Sequence, residues 1–483
     1  MRHHLYTTIS LLCLLSFVTS CNLPGPTPPA GTGTATPAMV PSIPPATVNP
    51  PDPARPKYTL DTIIDYERHF ITVDETIAYP NHTGQSLNSL TLAIAANLWP
   101  NCFSLKEISV DGNPITNHAL NAHRLDIPLQ TALKPDSVSN VKIRYTLSLP
   151  YMDQVNSLRA RIFGYSTLQM NLVNWYPFIV PNIDGEWIIH EPWSHGEYLV
   201  YPFADFEVNL VFTNPQNAPI VASSGYAEPI GEFTRYTLTE GRAFTLSASR
   251  DFQVSNMQVG DITVYSYYFP IYKNAGEAAM YASAQALQVY SQKFGAYPHK
   301  TLSVVTADFS DGMEFSALYF HSRKFYDLYD GTPANYLTFV AVHETAHQWW
   351  FDQVANDPAL EPWLDESLAT YSESIYYETA HPDLLSNWWS NRIDFFNPGG
   401  TIDIPVYGAE NDDAYKQTIY FNGAHFMRDV RGRIGDQAFF AFMQDYFTQN
   451  RGKIATSDDF FRILNEHAGV DYSDIVRGYF KNK

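Results

Sequence analysis

The run Val340-Ala341-Val342-His343-Glu344-Thr345-Ala346-His347-Gln348-Trp349-Trp350, followed after a short turn by Trp363-Leu364-Asp365-Glu366-Ser367, decides how the chain is read. On a helix, residues i and i+4 lie about 40° apart around the axis. His343 and His347 therefore project from one face, one turn apart. Two imidazoles so placed can bind one metal ion, and Glu344 beside them can reach a water at that ion without being a ligand. Val340 and Val342 supply an apolar face, Thr332 is placed to cap the helix and Pro333 suits its first position.

The second segment strengthens the reading. Trp363 to Tyr371 has helical periodicity from about Pro362, and Asn356-Asp357-Pro358 supplies a turn between the two helices. Glu366 follows His347 by 19 positions. Two helices and a short loop can thus bring a carboxylate to the paired imidazoles. Three such ligands leave the fourth tetrahedral position of Zn²⁺ open, as a catalytic site requires.

Outward from this segment, periodicity divides the body in two. From Tyr58 to about Val259, alternating runs such as Phe70–Val73, Val141–Tyr145 and Phe206–Phe212 recur between Asn, Gly and Pro turns, which predicts strands. From about Ala275 the period changes. Ala278 to Phe294 reads as a helix stopped by Gly295, Leu302 to Val305 as a strand, and three further helical stretches follow. The expected fold is multidomain: a β-rich N-terminal domain over 58–260, then an α+β domain over 261–483 that carries the metal-binding helices.

The first residues predict an address. Arg2 precedes a mostly apolar stretch ending in Val18-Thr19-Ser20-Cys21, which resembles a bacterial lipobox with lipidation at Cys21 after a signal peptide over 1–20. Residues 22 to 57 hold 12 of the 33 prolines, which predicts a semi-extended spacer within a 21–57 linker. The expectation is an extracytoplasmic protein, lipid-anchored to a bacterial membrane. Cys13 falls in the signal and Cys102 reads as a buried hydrophobe, so no disulfide is expected. With 30 basic against 50 acidic residues, a net charge of −20 over 483 residues excludes nucleic acid as a partner. No protein partner follows from the sequence.

Beyond these readings, the chain resembles the aminopeptidase N-like zinc metallopeptidases, a gluzincin family with a thermolysin-like catalytic domain. The resemblance rests on H-E-x-x-H, 18 intervening residues and Glu, with Trp363-Leu364-Asp365-Glu366-Ser367 standing where the family reads W-L-N-E-G. Gly312-Met313-Glu314-Phe315 is similar to its G-x-M-E-N strand, and Tyr420-Phe421-Asn422-Gly423 to its Y-x-K-G segment. The resemblance implies one Zn²⁺ per chain held by His343, His347 and Glu366, with Glu344 as general base toward a zinc-activated water. It implies Tyr420 as the hydrogen-bond donor to the oxyanion. Glu314 would pair with the free α-ammonium of a peptide substrate, assisted by Gln169, making the enzyme an aminopeptidase.

Alternatives remain at this level. In place of the family's segment, Gly312 lies one position closer to the Glu and Phe315 replaces Asn. An endopeptidase with an open cleft is one rival, and a non-catalytic surface lipoprotein on a peptidase fold is another. His190 with His195, and His118 with His123, have i+5 spacing and lie off any common helix face. Trp349 and Trp350 read as helix-packing residues, and Thr370 as a residue placed to brace a ligand.

Overall fold

The computed structural model describes residues 55–152, 162–309 and 311–483. The signal sequence, the lipobox with Cys21 and nearly all of the Pro-rich spacer lie outside the described residues. Among the described residues no helix is long and apolar enough to cross a membrane.

The first half is built of strands because its apolar residues alternate. In β1 (Lys57–Asp65), Tyr58, Leu60, Thr62 and Ile64 are buried while Asp61 and Ile63 face out. This strand pairs antiparallel with β2 (Phe70–Pro80), Lys57 opposite Ala78 and Asp65 opposite Phe70. With β3 (Phe103–Val110), β4 (Val138–Ser148), β5 (Ala204–Phe212) and β6 (Phe233–Gly241) they make most of an eight-stranded sheet. Its central order is β6-β5-β1-β2-β4-β3. Only the β1–β5 pair is parallel. The three runs singled out in the sequence lie in β2, β4 and β5.

The second half begins with a five-stranded sheet of order β7-β8-β9-β11-β10. Its members are β7 (Gln253–Val259), β8 (Ile262–Tyr268), β9 (Thr301–Ala307), β10 (Gly312–Phe315) and β11 (Leu318–Ser322). All seven residues of β9 are buried, the hydroxyl side chains of Thr301, Ser303 and Thr306 included. β10 lies at the sheet edge and pairs only with β11. Helix α1 (Lys273–Lys293) begins five residues before its expected start, led in by the turn Pro270–Tyr272.

The expectation of three later helices is too low. After α2 (Tyr336–Ala346) and α3 (Trp363–Ala380) come α4 (Gly423–Ile434), α5 (Asp436–Asn450), α6 (Ser457–Ala468) and several shorter pieces. Each long one buries an i, i+3/i+4 set: Phe426, Met427 and Val430; Phe439, Phe442, Met443 and Tyr446; Phe460, Ile463 and Leu464. The β-rich first half followed by an α+β second half is the expected order.

One buried cation ties the halves together. Arg242, just after β6, donates to the carbonyls of Tyr201, Asp352, Gln353 and Lys453. It thereby fixes the chain as it leaves α2. Full burial lowers its pKa to about 10, with Asp352 acting in the opposite sense.

Candidate metal centre and active site

Helix α2 is deeply enclosed, every residue from Leu337 to Ala346 being buried. Its cap is Asn335, whose side chain accepts from Thr338 N at 3.1 Å, and not Thr332. Thr332 is turned back onto Asp330, with its Oγ1 2.8 Å from the Asp330 carboxylate. His343 and His347 occupy the last turn, and Glu366 comes from the first turn of α3.

The three side chains converge. His343 Nε2 lies 3.1 Å from His347 Nε2 and 3.3 Å from Glu366 Oε2, and His347 Nε2 lies 3.4 Å from the same oxygen. The far nitrogen of each ring settles which atom donates. His347 Nδ1 is 3.0 Å from the carbonyl of Trp350, so it must carry the proton and leave Nε2 as a lone pair. His343 Nδ1 is likewise 3.0 Å from the Glu373 carboxylate. Three acceptor atoms thus face one another. For ligand bonds of about 2.0–2.1 Å, a tetrahedral site has edges of about 3.3 Å, which the observed 3.1–3.4 Å separations match. The donor set fits Zn²⁺.

Charge points the same way. Burial would make His347 harder to protonate, yet the carboxylates of Glu314, Glu366 and Glu344 raise its pKa well above the usual imidazole range. The site's field therefore favours positive charge. Burial also pushes the Glu344 carboxyl well above the usual carboxylate range, opposed by His347 and reinforced by Glu314, Glu366 and Asp311. Glu344 Oε2 is buried without a hydrogen-bond partner. A carboxylate with a raised proton affinity and an uncommitted oxygen is what a general base requires.

A cavity of about 360 Å³ opens over this cluster, lined among others by Glu197, Asp311, Glu314, Tyr420, Arg392 and Lys416. Edge strand β10 forms one wall, and its first residue must be glycine. A Cβ on Gly312 would sit 1.9 Å from Glu344 Oε1 and 2.9 Å from Val340 Cγ1. The displaced glycine of this segment is thus the position at which the strand passes against Glu344.

Tyr420 is brought to the site, its ring stacked on His343 at 5.7 Å and 11°. Its hydroxyl donates to Glu366 Oε1. Glu314 lies on β10, buried, with carboxylate atoms close to those of Glu344 and His347. Gln169 does not line the cavity. Its Nε2 donates to Asn171 Oδ1 at 2.9 Å and Ser247 Oγ at 3.1 Å, and its Oε1 accepts from Asp308 N, so its amide is spent on these three groups. Glu197 stands in the cavity wall instead.

Two residues at the site escaped the sequence reading. Glu373 braces the centre: besides His343 Nδ1 it accepts from Arg392 Nε at 3.0 Å, Arg392 Nη2 at 2.9 Å and Trp388 Nε1 at 2.9 Å. The bracing role assigned to Thr370 belongs to this carboxylate, since Thr370 Oγ1 has no partner. Glu373 lies seven residues after Glu366, two turns along the same face of α3, and that spacing was the available signal. Glu197 carried none beyond its neighbour Gly196. That glycine has φ 70°, and a Cβ there would meet Val406 Cγ1 at 2.2 Å. Trp349 and Trp350 are buried packing residues as expected. His190 pairs with Asp357 at 2.7 Å and His195 with the Val406 carbonyl, neither in a metal cluster.

The family model described as "Peptidase family M1 domain" matches residues 278–479. The matched segment takes in most of α1, α2 to α6 and the candidate metal centre, and there the chain is similar to peptidase family M1. The aminopeptidase N-like resemblance therefore holds. Aminopeptidase 2 of Candida albicans is 24% identical over 406 residues, covering 78% of this chain and 42% of its own length. The chain thus spans less than half of that curated relative. Among solved structures, a mutant M1 zinc metallopeptidase from Deinococcus radiodurans shares the fold with a TM-score of 0.63 at 16% identity, covering 88% of this chain and 94% of that one. A second structure of that protein, described as bound to a Tyr-Ser-Ala substrate, gives 0.62 at 17% identity, with 88% and 93% covered.

Proposed function

We propose that this protein is a zinc metallopeptidase that hydrolyses peptide bonds, and that it acts as an aminopeptidase. The observation that carries the proposal is the convergence of His343 Nε2, His347 Nε2 and Glu366 Oε2 beside an unpartnered Glu344 oxygen in one cavity. Zinc held by these three residues supplies a Lewis acid that polarises the scissile carbonyl and acidifies water.

The remaining work falls to the chain. β10 is an edge strand beside Glu344, along whose open side an extended peptide can lie. Glu344 accepts the proton of the attacking water and passes it to the leaving amine. Tyr420 exchanges its Glu366 acceptor for the oxyanion as charge develops there. Glu314, joined by Glu197, binds the α-ammonium and so places the first peptide bond over the centre.

Free-amine and N-acetylated peptides test the reading. Acetylation is expected to abolish most turnover, and Glu314→Gln to lower kcat/KM for free-amine substrates by ~10²-fold while retaining zinc. Internal cleavage of N-blocked peptides at the free-peptide rate, with Glu314→Gln silent, would make the protein an endopeptidase instead. The lipid-anchored, extracytoplasmic placement read at Cys21 is part of the same proposal. Its test is Cys21→Ser, which should leave the membrane fraction or accumulate as uncleaved precursor. Salt-resistant membrane association of the trimmed variant would contradict it.

A further inference from the structure

Two walls of the large cavity are joined by an ion pair. One wall is edge strand β10, from Gly312 to Phe315. The other is the wide, π-type helical segment Lys416–Asn422, which carries Tyr420. Asp311, the residue before β10, and Lys416, the first residue of that segment, both line the cavity. The lysine ammonium donates to the Asp311 carboxylate, from one wall to the other. Lys416 Nζ also lies 3.1 Å from the carboxylate of Asp412, four residues back on its own wall.

We propose that the Asp311–Lys416 ion pair bars the end of the cleft by which residues beyond the cleaved bond leave, so that the enzyme selects di- and tripeptides over longer chains. The inference rests on the aminopeptidase reading above and adds a substrate length to it. The order of residues along β10 leads there. Behind Glu314, to which the α-ammonium is assigned, comes Gly312, which passes against Glu344, and then Asp311. A peptide with its ammonium on Glu314 and its first carbonyl beside Glu344 therefore runs antiparallel to β10, toward Asp311 and Lys416.

Strand geometry sets the length. Asp311 precedes Glu314 by three positions, about 10 Å of extended chain at about 3.3 Å per residue. A dipeptide, about 7 Å long on the same scale, ends short of the ion pair. A tripeptide reaches it, and a longer chain has to pass between the two side chains. Passage requires Lys416 to release Asp311. Asp412 keeps the ammonium paired when that happens, because it sits on the lysine's own wall. The cost is that of one partly exposed ion pair, the lysine and aspartate side chains being 28% and 35% exposed. Such a pair is worth up to about fivefold in an equilibrium, and salt screens it.

Two measurements on the zinc-loaded protein test this. The first is kcat/KM on free-amine alanine oligomers of two to six residues, at low salt and at about 1 M KCl, where the screening length falls to about 3 Å. The second is calorimetric binding of the same oligomers to the Glu344→Gln protein, which reads affinity without turnover. At low salt the di- and tripeptide are expected to exceed the penta- and hexapeptide by about fivefold, and high salt should bring the ratio toward one. Lys416→Ala should flatten the length profile, Lys416→Arg should keep it, and Asp311→Lys combined with Lys416→Asp should restore it. If a variant misfolds, zinc content and thermal unfolding reveal it, and the salt series on the wild type still decides.

A wild type that cleaves the hexapeptide as well as the tripeptide at low salt overturns the inference. So does a length profile that Lys416→Ala leaves unchanged, or a loss in that variant equal at every length, which would make the ion pair a structural tie. Failure of the zinc-loaded wild type to cleave any free-amine peptide would instead sink the aminopeptidase reading, and oligomer binding to the Glu344→Gln protein would still report on the bar.

Discussion

Glu344→Gln protein is expected to keep its zinc and to hydrolyse peptides at least ~10²-fold more slowly than wild type. The substitution keeps the side chain's size and its place against Gly312, so the tight approach of β10 to this residue survives. None of the three converging ligand atoms is touched. What disappears is a carboxylate whose burial and acidic neighbours hold its proton affinity high, and an amide cannot take up the proton that the water must lose. Elemental analysis and peptide turnover on the same preparation check both halves. Loss of zinc from the variant would make Glu344 a structural residue, and retained activity would remove it from the chemistry.

Glu373→Ala should weaken the fold and the centre together. The carboxylate takes four hydrogen bonds, from His343 Nδ1, two nitrogens of Arg392 and the Trp388 indole. Arg392 is buried, and removing its partner leaves a guanidinium without compensation, a loss of about 3–5 kcal/mol for pairs of this kind. His343 meanwhile loses the acceptor that fixes its ring and tautomer, which typically lowers metal affinity ~10–100-fold. Denaturant unfolding of the zinc-loaded protein measures the first effect and competition with a chelator of known affinity the second. Glu373→Gln, retaining shape and part of the bonding, should fall between. A change of less than about 1 kcal/mol with unaltered zinc affinity would show that Glu373 does not brace the centre.

Much of this centre was legible because its signals are local and periodic. The i, i+4 histidines, Glu344 between them and Glu366 on the next helix are fixed by helical geometry and a short connection. The β-rich half showed itself through alternation, as in Tyr58, Leu60, Thr62 and Ile64. What escaped depends on contacts that no local pattern encodes. Gln169 carries the residue type suited to an amine site, but Asn171, Ser247 and the Asp308 backbone claim its amide. Glu197 reaches the cavity because Gly196 lets its loop pack against Val406. Glu373 lay within reach of periodicity, two turns beyond Glu366, whereas its partner Arg392 is joined to it only by tertiary folding. The cap moved from Thr332 to Asn335 because Asp330 captured the threonine, a competition between two local motifs that sequence preference alone does not rank.

The central claim is that His343, His347 and Glu366 hold one zinc ion on which peptide hydrolysis depends. Its most direct test removes metal with a chelator, dialyses the chelator away and titrates zinc back while following hydrolysis of a free-amine peptide. Activity should vanish with the metal and return in full at one equivalent of zinc per chain. Hydrolysis that persists in protein shown by elemental analysis to be free of metal, or stripped protein that fails to bind zinc, would contradict the account.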